Sequence, residues 1–140
     1  MLSDKVRSFI KSNHMAVMTT HRSSGGLQMS IVTVGPYGGG AAHTTTEERA
    51  KYKNLRRDPR CSLLVSADSW RPFLVLEGQA VLMTRENTAS DKLRTAFRDV
   101  FRATQGKNHP DWAEYDEAMV RDHRVIIITV PDKVYGPAAG

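Results

Sequence analysis

Cysteine is almost missing from this chain: Cys61 stands alone, which excludes an internal disulfide framework. It lies in the apolar run Cys61-Ser62-Leu63-Leu64-Val65 and reads as a small core residue, so a reducing, cytoplasmic setting is expected. No apolar stretch approaches the roughly 20 residues that span a bilayer, and the N-terminus lacks the apolar region of a signal peptide. No membrane partner is therefore expected. The five histidines, at 14, 21, 43, 109 and 123, never take the spacing of a zinc site, so no metal is expected. A Gly-x-Ser-x-Gly elbow, a Walker loop and a strand-to-helix Gly-x-Gly-x-x-Gly are all missing, and no catalytic residue can be named. No helix-turn-helix, zinc-finger or aromatic-rich RNA-binding pattern occurs, which disfavours nucleic acid. A chain without its own nucleophile or metal can still catalyse when a cofactor carries the reaction.

What is present fits one domain over residues 1–140, long enough to bury a core without staples. The net charge of +5 and pI near 9.6 favour an anionic partner. Residues 3–12 read as a short amphipathic helix, with Ser3 as N-cap and Val6, Phe9 and Ile10 on one stripe. Residues 14–21 and 27–34 read as a hairpin around the turn 22–26. In its second strand Leu27, Met29 and Ile31 alternate with Gln28, Ser30 and Val32, so one face is expected to be core and the other partly polar. A Gly/Pro turn at 35–40 leads to a third strand at 41–45, continuing an antiparallel meander. Strands follow at 61–66 and 73–84, the latter interrupted by Gly78, which marks a bulge or tight bend. Helices are expected at 90–104 and 111–122, and a buried strand at 125–130 that Pro131 ends. Hairpin-linked strands, one short helix and a helical insert at 87–123 favour an α+β antiparallel barrel of about six strands over a parallel sheet.

One stretch carries most of the functional signal. Residues 40–46 read as a strand end, with Thr46 as N-cap of a basic helix that Asp58-Pro59 stops. Arg49, Lys51 and Lys53 fall early in that helix, where the macrodipole already leaves positive charge, so an anion there would relieve repulsion. Residues two apart on a helix stand about 200° apart in azimuth, so Arg49 and Lys51 can share an anion only near a frayed first turn. His43, just upstream, is either a cofactor contact or a strand histidine satisfied by its neighbours.

The order of a short N-terminal helix, a first hairpin, Arg49-Ala50-Lys51 followed by Asn54-Leu55-Arg56-Arg57-Asp58-Pro59-Arg60, and then Leu76-Glu77-Gly78-Gln79-Ala80 resembles the pyridoxamine 5′-phosphate oxidase-like split-barrel flavoproteins. The closing Ile128-Thr129-Val130-Pro131-Asp132-Lys133-Val134-Tyr135-Gly136 resembles the branch of that superfamily that uses the deazaflavin coenzyme F420. The resemblance implies a six-stranded antiparallel split β-barrel, the FMN-binding split barrel, that forms a homodimer with cofactor sites at the subunit interface. It assigns cofactor contacts to Ser30, Ile31 and Val32, to His43, Thr44, Thr45 and Thr46, and to Arg49, Lys51 and Asn54. Trp70, from the partner subunit, is the candidate for completing the pocket, or else a surface-loop anchor. The implied activity is an oxidoreductase moving a hydride between F420 and an unidentified small organic substrate, with solvent or Tyr37 as proton source. FMN, in a flavin reductase or oxidase, is the alternative cofactor; a non-catalytic carrier of a cofactor or tetrapyrrole is the other. Pyridoxamine phosphate oxidation is disfavoured, because the chain is short and lacks the substrate-binding arginine and histidine arrangement near its C-terminus. The insert at 87–123 is expected to cover one pocket mouth.

Overall fold

A computed structural model describes residues 2–140. Helix α1 (Asp4–Ser12) begins where expected, the Val6 N–H donating to Ser3 Oγ at 3.2 Å, and it sends Val6 and Ile10 into the core. Strands β1 (Met15–His21) and β2 (Leu27–Thr33) form the hairpin. The Gly35-Pro36-Tyr37 segment, expected as a turn, is a short strand β3 (Gly35–Tyr37) paired with β4 (Gly40–Thr46). Helix α2 (Ala50–Arg57) follows, then β5 (Arg60–Ser66) and β6 (Phe73–Met83). The insert supplies α3 (Ser90–Gln105) and α4 (Trp112–Arg121), and β7 (Arg124–Tyr135) closes the sheet before a short 3₁₀ turn at Pro137–Ala139. Among the described residues there are seven strands rather than six, because β3 is one of them.

The sheet is antiparallel in the order β2-β1-β5-β6-β7-β4-β3. The expected meander is corrected here: β4 pairs with β7 and β3, not with β2. Yet β2 and β3 stand at opposite edges of the sheet with only Val34 between them in the chain. Such a short link requires the sheet to curl until its two edges meet, which makes it a split barrel. The β1–β2 ladder runs on to that residue, whose N–H donates to the His14 carbonyl at 2.8 Å while its own carbonyl lies 2.7 Å from His14 Nδ1.

Two apolar clusters hold the fold. The barrel interior gathers Met18, Leu63, Val65, Leu74, Leu76 and Ile127 with Val6, Ile10 and Leu55 from the helices. Outside the barrel, α3 and α4 pack Leu93, Phe97, Val100 and Tyr115 against Ala42, Ile126 and Ile128. The continuously apolar run in β7 is thereby explained, since successive residues serve opposite faces and both faces are covered. At about 1.5–3 kcal/mol for each fully buried large aliphatic side chain, that strand anchors both layers. Pro131 does not end it. The register shifts between Glu77 and Gly78, and Pro131, opposite Gly78, sits in the bulge where a ladder N–H is dispensable. A Cβ on Gly78 would lie 2.1 Å from the Val130 carbonyl oxygen, so the bulge that the glycine was expected to mark needs that glycine. Gly35 plays the same part for the insert: a Cβ there would lie 2.4 Å from the Ala103 carbonyl, so α3 packs directly on β3 backbone.

One strand turns out inverted in polarity. Gln28, Ser30 and Val32 of β2 face inward, while Leu27, Met29 and Ile31 are 54%, 64% and 73% exposed. Met15 on neighbouring β1 is also exposed. An apolar strand face turned outward on an edge strand is unusual for a chain that has nothing to set against it.

Candidate functional site

The chain leaves β4 and enters α2 through a turn that settles the azimuth problem posed by the sequence. Thr46 is the last strand residue, not the helix cap. The N-cap is Arg49, in extended conformation at φ −71°, ψ 143°, and no side chain caps this end. Because Arg49 precedes the first helical residue, its side chain is free of the helical spacing and reaches the same cleft as Lys51.

That cleft encloses about 550 Å³. Ile31, Val32 and Thr33 of β2 form one side, Thr44, Thr45 and Thr46 of β4 the floor, and Arg49 and Lys51 one end. The far wall belongs to the insert, through Val100, Phe101, Thr104 and Gln105 of α3 and Tyr115 and Met119 of α4. Arg124, the first residue of β7, completes it and places Nη1 3.5 Å from Thr44 Oγ1. No carboxylate lines the cleft among the described residues. The nearby Glu47 is taken by Arg85 in a two-pronged pair at 3.0 and 3.1 Å. Three cations thus converge without a counter-charge. The Lys51 ammonium is held below the ordinary lysine range by partial burial and by repulsion from Arg49 and Arg124. An anion entering here would find three charges and the hydroxyls of Thr44 and Thr46, which share a strand face, already assembled.

The sequence-derived residues divide cleanly. Ile31, Val32, Thr44, Thr45, Thr46, Arg49 and Lys51 come together on the cleft wall. Ser30 is on β2 beside them with its side chain on the opposite, inward face. His43 is 2% exposed and shares a strand face with Ala41 of the barrel core; neither ring nitrogen has a hydrogen-bond partner. Burial, then the charge of Lys51, lowers its pKa to about 3, so the ring is neutral. Asn54 is buried and spent on structure, its amide donating to Thr20 Oγ1 at 3.1 Å and accepting from Arg57 Nη2 at 3.1 Å, which ties α2 to β1. Trp70 is 58% exposed, at φ 67° in the loop between β5 and β6, and does not line its own chain's cleft. Tyr37 is also off the cleft, packed beside α3, with its hydroxyl pKa raised by burial and by Asp99. Tyr115 does line the cleft, but its hydroxyl donates to the Phe97 carbonyl at 3.0 Å and burial pushes its pKa up to about 12.

Arg124 was not named from sequence, and the insert at 87–123, expected over a pocket mouth, does wall the cleft through residues that were not singled out. Arg124 precedes an apolar strand 75 residues downstream of Arg49, and only the pairing of Thr46 with Arg124 across β4 and β7 brings it to the site. The α3 and α4 residues looked like packing stripes, and most of them are.

The architecture has solved counterparts. A conserved hypothetical protein from Mycobacterium tuberculosis superposes with a TM-score of 0.76 at 21% identity, covering 97% of this chain and 84% of that one. A protein described as an F420 reductase gives 0.64 at 19% identity, over 92% and 94%. HutZ, a heme storage protein from Vibrio cholerae, gives 0.69 at 12% identity, over 96% and 94%. At these identities the likeness is one of fold, and it extends to proteins with different ligands. Residues 2–135 match the pyridoxamine 5′-phosphate oxidase family, and with that match spanning nearly the whole sequence, the chain belongs to that family.

Proposed function

We propose that the cleft holds a phosphate-bearing ring cofactor, the deazaflavin F420 first and FMN as the alternative, and that the protein is an oxidoreductase acting on a small organic substrate. The convergence of Arg49, Lys51 and Arg124 on the threonine-lined end of β4, with no carboxylate among them, carries this reading. The chemistry of the donor set fits the group: cations and hydroxyls at one end for phosphate, and Ile31, Val32, Phe101 and Met119 at the sides for a flat ring system. When bound, the cofactor supplies the hydride chemistry.

The chain's own residues bind, orient and exclude water. Arg49, Lys51 and Arg124 fix the anionic end, Thr44 and Thr46 offer hydroxyls to its oxygens with Thr45 between them on the cleft floor, and the β2 backbone positions the ring. The apolar wall from α3 and α4 keeps bulk water from that side. The Tyr115 hydroxyl is committed to the Phe97 carbonyl and the Lys51 ammonium to the anionic end, so solvent is the proposed proton source.

The protein would act as a homodimer. Leu27, Met29, Ile31 and Met15 form an exposed apolar face that a second copy would cover, and Ile31 is also a cleft residue, so that interface would border the site. The exposed Trp70 loop would then be available to the partner's cleft.

A titration of the purified protein with each cofactor tests the proposal. Quenching of deazaflavin fluorescence at micromolar protein supports F420, and a yellow complex with a flavin spectrum supports FMN. Binding of neither sinks the reading. Tight binding without consumption of the reduced cofactor by any electron acceptor would instead make the protein a carrier.

A further inference from the structure

Beyond Arg124 and Met119, which are common to both, lies a second cavity of about 630 Å³. It opens between α3 and α4, and its character is the reverse of the cleft's. Leu93, Phe97, Met119 and Val120 give it an apolar lining, and Val120 is 76% exposed on α4 with nothing over it.

The charges around this lining can be accounted for one by one. Asp116 is engaged by both ends of the Arg98 guanidinium. Arg85 is held by Glu47, and Arg121 lies 3.3 Å from its neighbour Asp122. Arg94 makes no ion pair among the described residues, its charge reaching Asp116 only at longer range, and Arg124 Nε is buried with no hydrogen-bond partner. Glu117 is the one carboxylate on the wall not already paired. An apolar chamber of small-molecule size with a free guanidinium at its rim selects for an amphipathic anion. A bare phosphate would gain little from the apolar wall and would go to the three cations of the cleft instead.

We propose that the α3–α4 cavity is a binding site for apolar monocarboxylic acids, with the hydrocarbon part against Leu93, Phe97, Met119 and Val120 and the carboxylate on Arg94. This site does not depend on which cofactor the cleft takes, and it is tested on protein without cofactor.

Octanoate and 1-octanol, equal in chain length and different in charge, are the probes. Titration followed by amide chemical shifts should perturb residues 93–97 and 116–121, with octanoate binding at least tenfold more tightly than 1-octanol. Arg94 is exposed, so Arg94→Ala keeps the fold, and it should weaken octanoate at least tenfold while leaving 1-octanol unchanged. Equal affinity for the two probes, an unaltered octanoate affinity in Arg94→Ala, or shifts confined to the Met15 and Leu27–Ile31 face would each overturn the assignment.

Discussion

His43→Leu should stabilise this protein, and increasingly so in acid. The imidazole is 2% exposed, neither nitrogen has a partner, and burial beside the charge of Lys51 lowers its pKa to about 3. In the unfolded chain the ring takes up a proton near pH 6.5. Between those values the unfolded state binds a proton that the folded state refuses, so stability falls as pH falls. The slope from this one group is about 1.4 kcal/mol per pH unit, and the whole window amounts to roughly 5 kcal/mol. Leucine has similar bulk and nothing to protonate. At pH 7 the substitution should gain about 1–3 kcal/mol, the desolvation cost of an unsatisfied buried polar group. Urea unfolding of both proteins at pH 7, 6, 5 and 4 isolates the effect, because the carboxylates that also respond to acid, Asp58 and Asp116, are common to both. Between pH 7 and pH 4 the two stability curves should diverge by roughly 3 kcal/mol beyond their difference at pH 7. Parallel curves would mean that His43 is solvated or hydrogen-bonded in the folded protein, and the reasoning would fail.

Other consequences follow from named contacts. Gly35→Ala places a Cβ against the Ala103 carbonyl, so it should cost about 1–3 kcal/mol in urea unfolding and weaken cofactor binding through the displaced α3 wall; an unchanged midpoint would refute the close approach. Met29→Lys puts a charge into the exposed β2 face and should convert a dimer to a monomer in sedimentation; a dimer that survives it uses another surface. Inorganic phosphate should raise the melting temperature, a tenfold excess over its Kd contributing about 1.4 kcal/mol. That gain should fade as pH rises through the depressed Lys51 pKa, earlier than an ordinary lysine would allow, and should vanish in Lys51→Ala.

The heart of the candidate cleft was legible because its residues are contiguous. Thr44 to Lys51 carry hydroxyls and cations within eight positions, and charge placement alone drew attention to them. Local conformation was less legible: Thr46 has the chemistry of a cap, but strand pairing with Arg124 holds it in β4, and the helix starts four residues later. Arg124 and the α3–α4 wall depend on which strands are neighbours, and that order is set by curling of the sheet rather than by periodicity. Gly35-Pro36-Tyr37 reads as a turn by composition, yet pairs as an edge strand where proline needs no partner. Pro131 reads as a stop for the same reason, and a bulge absorbs it. The alternation in β2 was plain, but which of its two faces turns outward is set by the neighbouring strands and not by the pattern.

The central claim is that Arg49, Lys51 and Arg124 clamp a phosphate. Its most direct test is the affinity of the better-bound cofactor against the same ring system lacking phosphate, FMN against riboflavin or F420 against its phosphate-free riboside, in the wild type and in Lys51→Ala and Arg49→Ala. The wild type should prefer the phosphorylated form by at least about a hundredfold, and each substitution should remove about 1.5–3 kcal/mol of that preference with the fold unchanged. Equal affinity for the two forms in the wild type, or a preference that neither substitution alters, would contradict it.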